Sequence, residues 1–146
     1  YNGTDGAIGE NNINLTNAYP MSEDSANSLT PYTLTISNSC TSGPNIKYDV
    51  SLNTTSASNS TLSPHLRYKI GSGSSDMLDN LTDKLSTLNS KYKTDEGILR
   101  SYSLKSGELA PGSSETINLR LWIDEEAGND VMTKTFNGKI YAYAYL

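Results

Sequence analysis

A chain of 146 residues is long enough to bury one ordinary core without disulfide staples, so a single compact domain is expected. Its formal charge of −5 and pI near 4.7, without long like-charge runs, argue against a nucleic-acid partner, because phosphates need a basic face. No segment approaches the roughly 18 consecutive apolar residues that a membrane span requires, so no membrane span is expected.

Residues 1–12 hold Gly3, Gly6 and Gly9 with few apolar side chains. They read as a flexible N-terminal arm, a possible donor strand, ahead of one domain over 13–146. A first strand is expected near 13–17, and the connection over 19–30, with Pro20, Ser22, Asp24 and Ser25, favours turns. Pro31 then opens a strand in which Tyr32, Leu34 and Ile36 alternate with Thr33 and Thr35. After the Gly43-Pro44 loop the same two-residue beat returns at Ile46, Tyr48, Val50 and Leu52, and again at Leu66, Tyr68 and Ile70.

Past Gly71-Ser72-Gly73 the period changes: Leu78, Leu81, Leu85 and Leu88 predict one amphipathic helix near 75–89, with Asp76 and Asp79 at its positive end. Strands resume over 98–104 and, after the Ala110-Pro111-Gly112 turn, over 116–123. There Ile117, Leu119, Leu121 and Ile123 alternate with Asn118, Arg120 and Trp122. The last strand, 134–146, puts Tyr141, Tyr143 and Tyr145 on one face and Ile140, Ala142, Ala144 and Leu146 on the other, as in a strand covered on both sides. The fold class is therefore all-β: an antiparallel jelly-roll-like or Ig-like β-sandwich with one inserted amphipathic helix.

Reaction chemistry finds little support. His65 is the only histidine, with neither a G-x-S-x-G turn nor an H-E-x-x-H pair, so the chain is read as no enzyme and without a cofactor. One His and one Cys cannot build the usual zinc set, and the lone Cys40 is expected to be a plain thiol. Asp124, Glu125, Glu126 and Asp130 form a weak calcium candidate without EF-hand spacing, and a solvated turn explains them better. Trp122 faces outward by alternation and, with Tyr141, Tyr143 and Tyr145, could offer a glycan or partner surface, although packing under a loop or the helix is the commoner fate of a lone Trp. N-x-S/T sequons begin at Asn2, Asn14, Asn53, Asn59 and Asn80 and matter only if the source glycosylates its exported proteins. A chain beginning at Tyr1, rich in Ser, Thr and Asn, fits an exported protein at the cell surface or outside it, its leader removed.

Three stretches together resemble a family: Asn14-Leu15-Thr16-Asn17-Ala18-Tyr19-Pro20, Tyr32-Thr33-Leu34-Thr35-Ile36-Ser37-Asn38, and Gly107-Glu108-Leu109-Ala110-Pro111-Gly112 leading to Leu119-Arg120-Leu121-Trp122-Ile123-Asp124. They are similar to the TasA/camelysin-like exported proteins of Gram-positive bacteria, over about residues 13–140. The resemblance implies a jelly-roll-like sandwich, secretion through a dedicated signal peptidase, and assembly into extracellular matrix fibres. In such fibres a terminal arm of one subunit completes the sheet of the next, which here makes residues 1–15 the donor, with Ile8, Ile13 and Leu15 filling an acceptor groove. The proteolysis suggested by the camelysin name is not carried over, because no metalloprotease motif is present. The expectation is a non-enzymatic structural subunit forming a homo-polymer by strand complementation, with a monomeric secreted adhesin or glycan-binding module as the alternative.

Overall fold

The computed structural model describes residues 1–16, 18–55, 62–88 and 98–146. Nine strands follow in chain order among them: β1 (Gly6–Thr16), β2 (Pro20–Met21), β3 (Tyr32–Ser37), β4 (Ile46–Thr55), β5 (Leu66–Ile70), β6 (Asp76–Met77), β7 (Ile98–Leu109), β8 (Ser114–Asp124) and β9 (Thr135–Tyr145). One sheet runs β1-β9-β4-β7; in the other β8 lies between β5, which continues to β6, and the short β2, with β3 also on β8.

The pairing is nested. β1 pairs with β9, β3 with β8, β4 with β7 and β5 with β6, all antiparallel, as in one long ribbon rolled over itself. The further pairs β4 with β9 and β5 with β8 join adjacent turns of the roll within each sheet. That order is a jelly roll rather than an Ig-like arrangement. Among the described strands the only departure from antiparallel pairing is β2, which runs parallel to β8 at Pro20 and Met21; a proline fits there because β2 is an edge.

The two-residue beat places the core between the sheets. Ile46, Tyr48, Val50 and Leu52 of β4, Ile117, Leu119, Leu121 and Ile123 of β8, and Ile140, Ala142 and Ala144 of β9 belong to one buried cluster with Leu66 and Phe136. Outward positions of β3 and β8 instead make a hydrogen-bonded ladder: Thr33 to Asn118 at 2.9 Å, Thr35 with Thr116 at 3.1 Å, and Ser37 with Ser114 at 2.9 Å.

Two expectations need correction. The first strand begins at Gly6, not near Ile13, so most of the stretch read as an arm is strand bonded to β9. The single helix near 75–89 is replaced by β6, a 3-10 turn at Leu78–Asn80 and a one-turn helix, Leu85–Leu88; residues 89 and beyond in that reading lie outside the described residues. Aspartates explain the break. Asp76 Oδ1 accepts from the Met77 backbone N–H (2.8 Å) and Asn80 Nδ2 (2.9 Å), and Asp83 Oδ1 from Leu85 N–H (3.0 Å) and Ser101 N–H (3.1 Å), contacts that compete with helical bonding. Leu78 is fully buried and Leu81 packs partly against the core, so the leucine spacing serves two separate turns instead of one stripe.

Candidate functional site

β1 is an edge strand, bonded through ten register pairs from Gly6–Ala144 to Thr16–Thr135. Ile13 is buried in the core opposite Gly138, and Leu15, half-buried, stands opposite Phe136. Gly138 has to be small, because a Cβ there would lie 2.9 Å from the Asn53 carbonyl oxygen. The register steps between Ala7 and Gly9, which makes Ile8 the extra residue of a bulge; its side chain lies outside the described ones. Ahead of β1, the Tyr1 nitrogen donates to the Ser37 carbonyl at 2.7 Å, and the Tyr1 carbonyl accepts from Ser39 N–H (2.9 Å) and Oγ (2.8 Å). Asp5 Oδ1 accepts from the Leu146 N–H at 3.1 Å. The segment is thus stitched to both sheets, and only Ile13 and Leu15 of the named donor residues are placed against the core.

The tyrosines of β9 are brought together on the outer face of the first sheet, since their neighbours Ile140, Ala142 and Ala144 face the core. Tyr141 is buried, whereas Tyr143 and Tyr145 are half-buried with ring centroids 5.9 Å apart and planes tilted by 42°. Tyr145 is raised above the usual phenol range by burial first, then by the charge of Asp49 and a hydrogen bond to it. Lys47, Asp49, Ser106, Glu108 and Tyr145 line a shallow depression of about 280 Å³. Of this group the sequence singled out Tyr145 alone, for the members come from three strands and meet only through the register.

Trp122 does not join them. It points away from the core, as alternation predicts, but only 2 % of it is exposed, so the outward platform is corrected to a buried side chain. A one-turn helix, α1 (Glu23–Ala26), capped by Ser22, lies across β8 with Ala26 fully buried. Its segment is tied down by Lys69 Nζ to Asn27 (3.0 Å) and by Arg120 Nε to the Leu29 carbonyl (3.0 Å). Packing under a loop is the outcome for this Trp.

Two buried tyrosines each meet a carboxylate and a cation. Tyr48 donates to Glu115, which also accepts from Lys105; Tyr102 donates to Asp79 at 2.8 Å, with Arg100 3.6 Å from that carboxylate. Both phenols are raised well above their ordinary range, by burial first and the carboxylate second. Glu115 is held below the usual carboxylate range, chiefly by the Lys105 hydrogen bond and next by Tyr48. A bulge in β7 opposite Val50 and Ser51 pairs Lys105 with Val50, on the inner side of the sheet, where it reaches Glu115 of the facing sheet. The first group ties the two sheets together, and the second ties β7 to the 3-10 turn Leu78–Asn80.

Asp124 is engaged by Arg67 Nε at 3.1 Å, Glu125 and Glu126 are exposed, and the Asp130 side chain lies outside the described ones. Among the described residues no group of three or more His, Cys, Asp or Glu could hold a metal ion. His65 closes a 3-10 turn, Ser63–His65, and Cys40 is a half-buried free thiol. Asn53 is buried and accepts from Ser101 Oγ at 2.5 Å, which closes that sequon to a glycan in the folded chain. No helix among the described residues is long and apolar enough to cross a membrane. No protein-family model matches this chain, and neither a curated protein nor a solved structure matches it.

Proposed function

We propose that this chain is a non-enzymatic structural subunit of an extracellular filament or surface matrix, in which β1 of one copy takes the place of β1 in the next. The observation that carries the reading is the position of β1: at the edge of its sheet, paired among the described strands to β9 alone, with Ile13 set into the core. Every hydrogen bond that β1 makes with its own β9 is available, unchanged, to the same segment of a second copy. Exchange therefore alters the connectivity and hardly the contacts, the usual condition for swapping an element between protomers. Without β1, the backbone edge of β9 would stand open to such an addition.

The test removes residues 1–12 and compares the truncated with the entire chain by electron microscopy at rising concentration. Filaments from the entire chain and none from the folded truncated chain are expected. Filaments of undiminished abundance after truncation, or an entire chain that stays monomeric throughout, would overturn the proposal.

A further inference from the structure

We propose that the outer face of the first sheet, at the end where β9, β4 and β7 run side by side, binds a neutral polysaccharide. The registers build a small grid there. Tyr145, Lys47 and Glu108 form one row and Tyr143, Asp49 and Ser106 the next, each residue directly opposite its neighbour in the adjacent strand. With strands about 4.8 Å apart and same-face residues about 7 Å apart, the grid is a plate of about 10 by 7 Å, the footprint of one or two pyranose rings.

Its chemistry is laid out in columns. The two tyrosines present partly exposed rings, and a pyranose has an apolar C–H face suited to them. Tyr145 is pre-oriented by its hydrogen bond to Asp49, so less ordering is needed on binding. Across the depression Lys47, Ser106 and Glu108 are exposed: the ammonium and the hydroxyl can donate, and the carboxylate and Ser106 can accept, which matches the hydroxyl rim of a sugar. One ammonium against two carboxylates turns away anionic polymers, whereas an uncharged, hydroxyl-rich ligand can use all of these groups. The depression of about 280 Å³ is small and open, so it seats one unit while the rest of a chain continues across the sheet. This site uses the face of the sheet, and assembly through β1 uses its edge, so the two proposals stand or fall separately.

The test titrates the full chain with cellohexaose and chitohexaose, following the tyrosine ring signals by NMR and the heat by calorimetry. Saturable binding with shifts at Tyr143 and Tyr145 is expected, weakened by about tenfold or more, about 1.4 kcal/mol, in Tyr145→Ala. Ser106→Arg, which fills the depression from an exposed position without touching either ring, should weaken it as well, while Trp122→Phe on the other sheet should leave it unchanged. Polygalacturonate serves as the anionic comparison. Absence of saturable binding to both oligosaccharides and across an array of neutral glycans, binding undiminished in both site variants, or tighter binding of polygalacturonate would each overturn the proposal.

Discussion

Glu115 ties the two sheets together, and its removal should show in a coupled loss of stability. Tyr48 is 1 % exposed and donates to Glu115, which also receives Lys105. Glu115→Ala leaves a buried phenol without an acceptor and should cost about 1–3 kcal/mol; Tyr48→Phe removes one bond to a charged acceptor that keeps Lys105, and should cost about 1.5 kcal/mol. Because both changes abolish the same contact, the double variant should fall short of the sum by about 1 kcal/mol. Urea unfolding at unchanged m reads the cycle, and in a domain of this size each kcal/mol moves Tm by about 3–4 °C. The pH dependence follows from the direction of the shift. A carboxyl depressed in the folded state contributes stability that is complete above its unfolded value, about 4.3, and is lost as the pH falls through its lower folded value. The advantage of the natural chain over Glu115→Gln should therefore be full at neutral pH and shrink in acid. The raised Tyr48 phenol works in the opposite sense, its contribution disappearing only as the pH rises through its raised folded value. Additivity within about 0.3 kcal/mol, or a gap to Glu115→Gln that stays flat into acid, would refute this account.

Gly107→Ala would set a Cβ 2.7 Å from the Tyr48 hydroxyl and 2.9 Å from its Cζ, so this buried ring or its strand would have to shift. The urea midpoint should drop by an amount equivalent to about 1–3 kcal/mol, and an unchanged midpoint would show that the strands part more easily than described. Trp122→Ala should cost about 3–5 kcal/mol in the same assay. As the single tryptophan, Trp122 should emit in the blue and resist acrylamide quenching in the natural chain; red, readily quenched emission would contradict the cover over β8.

The alternation in residues 32–36, 46–52 and 117–123 already carried the strand assignments, the inward set of each strand and the all-β class, because a half-buried strand writes its period directly into local composition. The face of β9 that holds Tyr141, Tyr143 and Tyr145 was legible for the same reason. Alternation names a face, however, and says nothing about which strand lies beside it or what covers its back. Gly6–Thr16 has too few apolar residues to announce a strand, and it becomes one because β9 supplies the hydrogen-bond partners. The leucines at 78, 81, 85 and 88 fit a helical period, yet distant packing at Leu78 and local aspartate bonds outweigh that weak preference. Trp122 looked outward until a segment about a hundred residues earlier in the chain covered it. Lys105 reaches Glu115 through a bulge, and the grid around Tyr145 exists only where three strands fall into register. Sequence determined the alternating strands of this protein and their inward faces through short-range periodicity; the tertiary structure decided β1, the fate of the leucine stretch and every strand's neighbours, because pairing and cover are set by contacts between residues far apart in the chain.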